Sequence, residues 1–200
     1  MRKQPRQKRS REMVEALVDA TATVLAERGL DHTTTNHIAE AAGVSVGSLY
    51  QYFPDKEALV EALLERMIRD VTRTFNRTLG EMNPGHMALD ELARNAITVG
   101  LAALRANPLH LELIRNWHRL PVSGPLDQLE QYFLTAGRLY FLEQFREHPV
   151  DNLPARLYVL INSTVFTLAR FLGQDPPMMR ERAVVDALVD TIVGAFAIRD

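Results

Sequence analysis

Hydrophobic residues along this chain recur at spacings of three and four, with no run in which they alternate strictly with polar ones. That periodicity predicts amphipathic helices and no strands. Val14, Leu17, Val18, Thr21, Val24 and Leu25 form one stripe, predicting a helix over about 12–27 that Gly29 ends as a C-terminal glycine. Short helices are predicted over about 35–42 and 46–52. A long one starts near Asp55, a good N-cap, and carries the stripe Val60, Leu64, Met67, Ile68, Val71, Phe75 and Leu79. After a break at 80–85, helices are predicted over about 86–105, 108–118, 126–147, 153–173 and 178–198. Asn107 caps the second of these, with Pro108 at its first position. Residues 121–125 read as a loop, and Pro176-Pro177 separates the last two helices. The fold class is all-α.

Residues 33–56, TTTNHIAEAAGVSVGSLYQYFPDK, carry the densest local information. Ile38, Ala42, Val44, Leu49 and Phe53 are spaced so that two short helices share one small core. Ala39 sits where two helices would cross closely. Gly43 lies between them, where a tight turn needs a positive φ that glycine takes without strain. Two helices joined by a short glycine-containing turn form the DNA-reading helix-turn-helix unit. The second helix holds no charged residue, whereas a solvated surface helix normally carries Glu or Lys. Its hydroxyls and aromatics suit phosphate hydrogen bonds and thymine methyl contacts. Gly47 weakens it by about 1 kcal/mol relative to alanine and allows close approach of the backbone to DNA. Lys56, opening the next helix, is placed to meet a phosphate together with the helix N–H groups.

Composition narrows the function. The 200 residues are 46% hydrophobic and 24% charged, the profile of a soluble globular protein. There is no cysteine, which excludes disulfides, thiolate metal sites and cysteine nucleophiles. The N-terminus is charged where a secretory signal is apolar, and no stretch reaches ~18 apolar residues. A soluble, cytoplasmic protein with no membrane partner is expected, so the N-x-[ST] matches at Asn76 and Asn162 carry no meaning. Net charge is −2, but Arg2, Lys3, Arg6, Lys8, Arg9 and Arg11 form an acid-free basic arm. It reads either as a solubilising tail or as an arm along phosphates or a minor groove.

Residues 11–60 resemble the DNA-binding domain of the TetR family of transcriptional regulators. The resemblance rests on Glu27-Arg28-Gly29, Thr33-Thr34-Thr35, Ile38-Ala39, Ala42-Gly43-Val44-Ser45, Gly47-Ser48-Leu49-Tyr50, Tyr52-Phe53 and Lys56-Glu57-Ala58-Leu59. It covers about a quarter of the chain. It implies a basic arm over 1–10, a three-helix DNA-binding domain over 11–56 and a larger helical effector-binding and dimerisation domain over 57–200. Thr34 and Thr35 resemble phosphate-contacting residues, and Asn36 is placed like one that reaches a base. Val46, Gly47 and Ser48 head the recognition helix. Tyr50, Tyr52 and Lys56 resemble phosphate clamps; for the two tyrosines a packed ring with its hydroxyl on phosphate is expected.

Other chemistry finds little support. Gly43-Val44-Ser45-Val46-Gly47 matches the G-x-S-x-G nucleophile elbow, which needs a strand before it; alanine-rich helix precedes it here, so no catalytic residue is assigned. The six histidines show no metal spacing and no glycine-rich loop suits a nucleotide, so neither metal nor cofactor is expected. Residues 86–175 are rich in aromatics with polar residues between them. Most of these are core, but helix bundles also build ligand pockets this way. Trp117, Phe141, Asn162 and Phe166 are the candidate ligand-binding residues, for a largely apolar effector. The last helix has two stripes, Val185, Leu188, Val189, Ile192 and Phe196, and the smaller Val184, Ala187, Thr191 and Ala195. Two stripes need two partners, which suggests a homodimer through this helix and the one at 153–173, and a near-palindromic double-stranded operator. The resulting expectation is a homodimeric repressor released by a small molecule, with the Asp55–Leu79 helix as the coupling element. The alternative is a helical small-molecule-binding or interaction protein without operator binding.

Overall fold

The computed structural model describes residues 4–146, 150–174, 176 and 178–196, with side chains from residue 8 onward. Arg2, Lys3 and the side chain of Arg6 in the basic arm lie outside the described residues, as do Pro177 and the predicted helix ends at 147 and 198. The helices are α1 (Gln4–His32), α2 (Thr35–Ala41), α3 (Val46–Tyr50), α4 (Lys56–Glu81), α5 (Leu89–Arg105), α6 (Pro108–Arg115), α7 (Ser123–Gln144), α8 (Leu153–Gln174) and α9 (Glu181–Phe196). Short 3-10 turns fall at Pro84–His86 and Trp117–Arg119. No strand occurs among the described residues, and none of their helices is long and apolar enough to cross a membrane. The chain forms two compact units, one of residues up to 67 with 116–125, the other of 68–115 with 126 onward. The division falls inside α4.

Two boundaries differ from the sequence expectation. α1 begins at Gln4 rather than near residue 12. Residues 4–11 have no apolar stripe, yet Arg, Lys and Gln are good helix formers and a proline is tolerated in the first turn. Lys8 and Glu12 pair at 3.8 Å one turn apart. α7 begins at Ser123, inside the predicted loop, because Pro125 falls in its first turn, where no N–H is needed.

In the first unit the predicted stripe of α1 is buried at Leu17, Val18, Thr21, Val24 and Leu25. Thr21 is accommodated there because its hydroxyl donates to the carbonyl of Leu17 at 2.7 Å. Ile38 and Ala39 of α2, Leu49 of α3 and Leu59, Val60, Leu63 and Leu64 of α4 complete the buried set. Arg66 of α4 pairs with Asp19 of α1. Gly29 has φ +72° and breaks the helical path of α1 where the sequence places its end.

In the second unit, Ala93, Ile97, Leu101, Ile114, Leu168, Leu172, Val185, Leu188 and Val189 form one core from α5, α6, α8 and α9. Phe75 and Leu79 of α4 pack with Val99, Tyr132 and Phe133, and Phe75 meets Phe133 edge to face at 5.1 Å. Phe141, Leu157 and Phe196 form a third cluster. Asn107 caps α6 as expected, accepting from the Leu109 N–H at 3.0 Å.

His110 of α6 is 8% exposed. Burial pushes its pKa below the ordinary 6.5, against the Ala103 carbonyl, Asp70 and the Leu104 carbonyl, which favour the protonated ring. With the folded-state value lowered, the unfolded chain takes up the proton first as pH falls. This group's contribution to stability is therefore complete above about 6.5 and shrinks as pH drops through it. Urea melts between about pH 8 and 5 are expected to show that decline, and His110→Leu to flatten it. An undiminished slope in the variant would assign the effect to other groups.

Candidate nucleic-acid interface

α2 and α3 have seven and five residues, too few to persist alone. Their ends are secured by side chains. Thr34 is the N-cap of α2, accepting from the His37 N–H at 3.2 Å, and the His37 ring nitrogen Nδ1 lies 3.0 Å from the His32 carbonyl. Ser45 is the N-cap of α3, accepting from the Ser48 N–H at 3.0 Å, with the two hydroxyls 2.8 Å apart. Ser45 is thus a cap between two helices, as the rejection of the elbow motif required. Between them Gly43 has φ +68°, with nothing within 4 Å of where a Cβ would lie. Backbone conformation, and not crowding, selects glycine there.

Buried Ile38, Ala39, Leu49 and Phe53 fix the pair from beneath. Val44 and Ala42, also expected in this core, are half-buried. On the outside, Thr34, Asn36, Gly47, Tyr50, Gln51 and Tyr52 are exposed, with Thr35, Val46, Ser48 and Lys56 half-buried. Tyr50 is 51% and Tyr52 36% exposed, so neither ring is a core group. The Tyr50 hydroxyl lies 3.2 Å from Thr35 Oγ1, which ties α3 to the first turn of α2. Gly47 is the informative glycine. A Cβ built on it meets only Ser45 Oγ, at 3.8 Å, an ordinary contact. Neither φ nor packing calls for glycine, although it costs the helix about 1 kcal/mol. The bare backbone faces outward, where only an external partner uses it. The resulting surface is charge-free and hydroxyl-rich, with donors and acceptors suited to phosphate oxygens and base edges.

Lys56 differs from expectation in one respect. Its ammonium reaches the Leu30 carbonyl at 3.5 Å, so it also holds the chain just after Gly29. Asp55 caps α4 through the Ala58 N–H at 2.8 Å. Sequence reasoning missed the neighbouring Asp31–Arg119 pair. Two guanidinium nitrogens of Arg119, in the turn after α6, donate to the two carboxylate oxygens of Asp31. Arg119 holds the Asp31 carboxyl below its usual pKa, and Asp31 raises that of Arg119. Eighty-eight residues separate the partners, and no local pattern announces such a pair.

The candidate ligand residues do not share a setting. Trp117 is half-buried and belongs to the first unit. Phe141 is buried, 4.2 Å from the Phe196 ring centroid and 5.1 Å from that of Phe145. Asn162 is exposed and donates to Glu130 at 2.6 Å and to the Tyr158 carbonyl at 2.9 Å. Phe166 is 48% exposed beneath the Arg170 guanidinium. Among the described residues no cluster of His, Asp or Glu is arranged to hold a metal.

Comparisons with known proteins place this surface. The family model of the bacterial regulatory proteins, tetR family, matches residues 17–63, which include α2, α3 and the start of α4. The chain is 32% identical over 97 residues to the nucleoid occlusion factor SlmA of Haemophilus ducreyi, covering 48% of this chain and 46% of that protein. It is 47% identical over 55 residues to the transcriptional repressor KstR2 of Rhodococcus jostii, covering 28% and 27%. The chain thus spans less than half the length of these curated relatives. The fold of the fatty acid degradation regulator FadR from Bacillus halodurans matches with a TM-score of 0.66 at 16% identity, over 93% of this chain and 97% of that one. With the family's own segment on its N-terminal helices and the fold of a solved regulator over nine-tenths of its length, this chain belongs to the tetR family of bacterial regulatory proteins.

Proposed function

We propose that this protein is a homodimeric, operator-binding repressor released from DNA by a small, largely apolar molecule. The observation that carries the DNA-binding part is Gly47: exposed, internally unneeded and set in a charge-free helix. Val46, Gly47 and Ser48 at the front of α3 contact base edges. Asn36 reaches a base from α2. Thr34, Thr35, Tyr50, Tyr52 and Lys56 bond phosphates around them. Lys56 does so while also supporting the α1 end.

Dimerisation uses the outer faces of α8 and α9. Tyr158, Asn162 and Phe166 are exposed at one-turn intervals on α8, with Val159 beside them. Ala183, Ala187, Thr191 and Val193 are exposed on α9 while Val185, Leu188, Val189 and Phe196 face the core. This division matches the two stripes of the last helix. A stable dimer needs roughly 800 Å² per partner, and two adjoining helix faces with several large apolar side chains are of that order. Two heads related by a two-fold axis then read successive major-groove faces of a near-palindrome. Release follows if the ligand binds one arrangement of the second unit better than the other. The chain passes between the units within α4 and at both ends of 116–125, so α4 and the Asp31–Arg119 turn are its routes to the head.

Three outcomes are expected. In fluorescence anisotropy with a duplex from the chain's own upstream region, Tyr52→Ala is expected to weaken binding by about tenfold, the worth of one hydrogen bond. Gly47→Ala is expected to melt no lower than wild type, and up to about 1 kcal/mol more stably, while losing operator affinity. If Gly47→Ala binds the operator as tightly as wild type, the recognition role fails. In sedimentation, the wild-type chain is expected at twice its sequence mass and Phe166→Glu at the monomer mass; a Phe166→Glu dimer would rule out this face.

A further inference from the structure

We propose that Nδ1 of His110 is the hydrogen-bond acceptor that anchors a bound small molecule in the second unit, and that the molecule is neutral and largely apolar with one O–H or N–H donor. The proposal rests on the ligand-responsive reading above only for its consequence at the operator. The site itself stands on the surroundings of His110.

Among the described residues, this nitrogen is the buried side-chain nitrogen or oxygen that has no partner in the protein. The other buried polar side chains differ. Thr21 donates to the Leu17 carbonyl at 2.7 Å and Thr33 to the Gly29 carbonyl at 2.8 Å. A buried group without its hydrogen bond is a standing cost, and native proteins seldom keep one that has no use. The imidazole is also held in a particular sense. The carbonyls of Ala103 and Leu104, in the last turn of α5, bear on the ring. Carbonyls only accept, so they draw the ring proton to the nitrogen turned toward them. A neutral imidazole has one donor and one acceptor, and the partnerless Nδ1 is left as the acceptor.

Charge then selects the ligand. Burial favours the neutral ring, so no cation is offered to an anion. The Asp70 carboxylate acts on the same ring and repels a second negative charge. A carboxylate or phosphate oxygen would set acceptor against acceptor at Nδ1. A hydroxyl or N–H satisfies it. The position also suits a switch. His110 sits in the first turn of α6, its N–H bonded to the Asn107 carbonyl at 3.0 Å. Asp70 lies on α4, the helix that continues into the first unit.

Phenol and anisole test this directly, because they differ in the O–H donor and little else. The full chain, with its histidines labelled with nitrogen-15, is titrated with each in the absence of DNA. Phenol is expected to shift the His110 Nδ1 resonance and to bind about tenfold more tightly than anisole, one hydrogen bond's worth. His110→Phe is expected to abolish that preference while leaving anisole affinity within about twofold. His110→Gln, which keeps an acceptor, is expected to retain part of it, and covers the case in which His110→Phe fails to fold. Equal binding of the two probes, binding of neither, or a phenol preference that survives in His110→Phe would overturn the proposal. A Nδ1 resonance that phenol leaves unmoved, as a permanently bound water would, also overturns it. Phenol binding at His110 with operator affinity unchanged supports this site and counts against the switch instead.

Discussion

A helix of five residues has no stability of its own, and everything this protein presents outward from α3 depends on overcoming that. The solution is burial from below and capping from the end. Leu49 is completely buried, which contributes about 1.5–3 kcal/mol for a side chain of its size. The Ser45 cap adds about 1 kcal/mol. The glycine turn at Gly43 sets the angle between α2 and α3 without strain. These terms leave the outer face of α3 free of structural duties. That freedom permits a glycine and a run of uncharged residues where an isolated surface helix would need alanine and lysine. The chemistry of the surface is thus a consequence of how the helix is held.

That dependence explains why the head was legible from sequence. Caps, a positive-φ glycine and a small shared core are local features, each set by residues within a few positions of one another. Thr34, Gly43, Ser45 and Asp55 all act as their types and places suggest. What escaped is either long-range or unpatterned. Arg119 meets Asp31 across 88 residues, and Lys56 finds the Leu30 carbonyl through a flexible side chain. The extension of α1 to Gln4 escaped for another reason. It rests on intrinsic helix propensity without an apolar stripe, and periodicity is blind to that.

The second unit was legible as helices and opaque as a site. Stripes on α4 and α9 identify the buried faces, because a stripe records only that one side of a helix avoids water. They do not say what covers the other side. Phe141 and Phe166 are the same residue type in equally aromatic surroundings, yet one is core and the other lies on an outer face. Aromatic content therefore could not choose pocket residues. The more telling residue, His110, was set aside in sequence because a lone histidine on a helix is usually satisfied. Only its surroundings show that one of its nitrogens is not.

The two units also differ in what they share with relatives. Identity to SlmA and KstR2 reaches 32% and 47%, but only over 97 and 55 residues, and the family model ends at residue 63. Beyond it, the FadR fold persists at 16% identity. A head must fit one unvarying object, the duplex, so its caps, turn and contact residues stay fixed. A body need only remain a helical core, and many sequences fill such a core provided volume and pattern are kept. Its specificity then resides in a few polar atoms placed against apolar surroundings. A buried atom whose bonding is incomplete is where such specificity is read, since a ligand that completes it gains what water or protein would otherwise supply. By that reasoning the tasks of the relatives, repression and nucleoid occlusion, do not transfer with the head. What this chain responds to is written in the second unit.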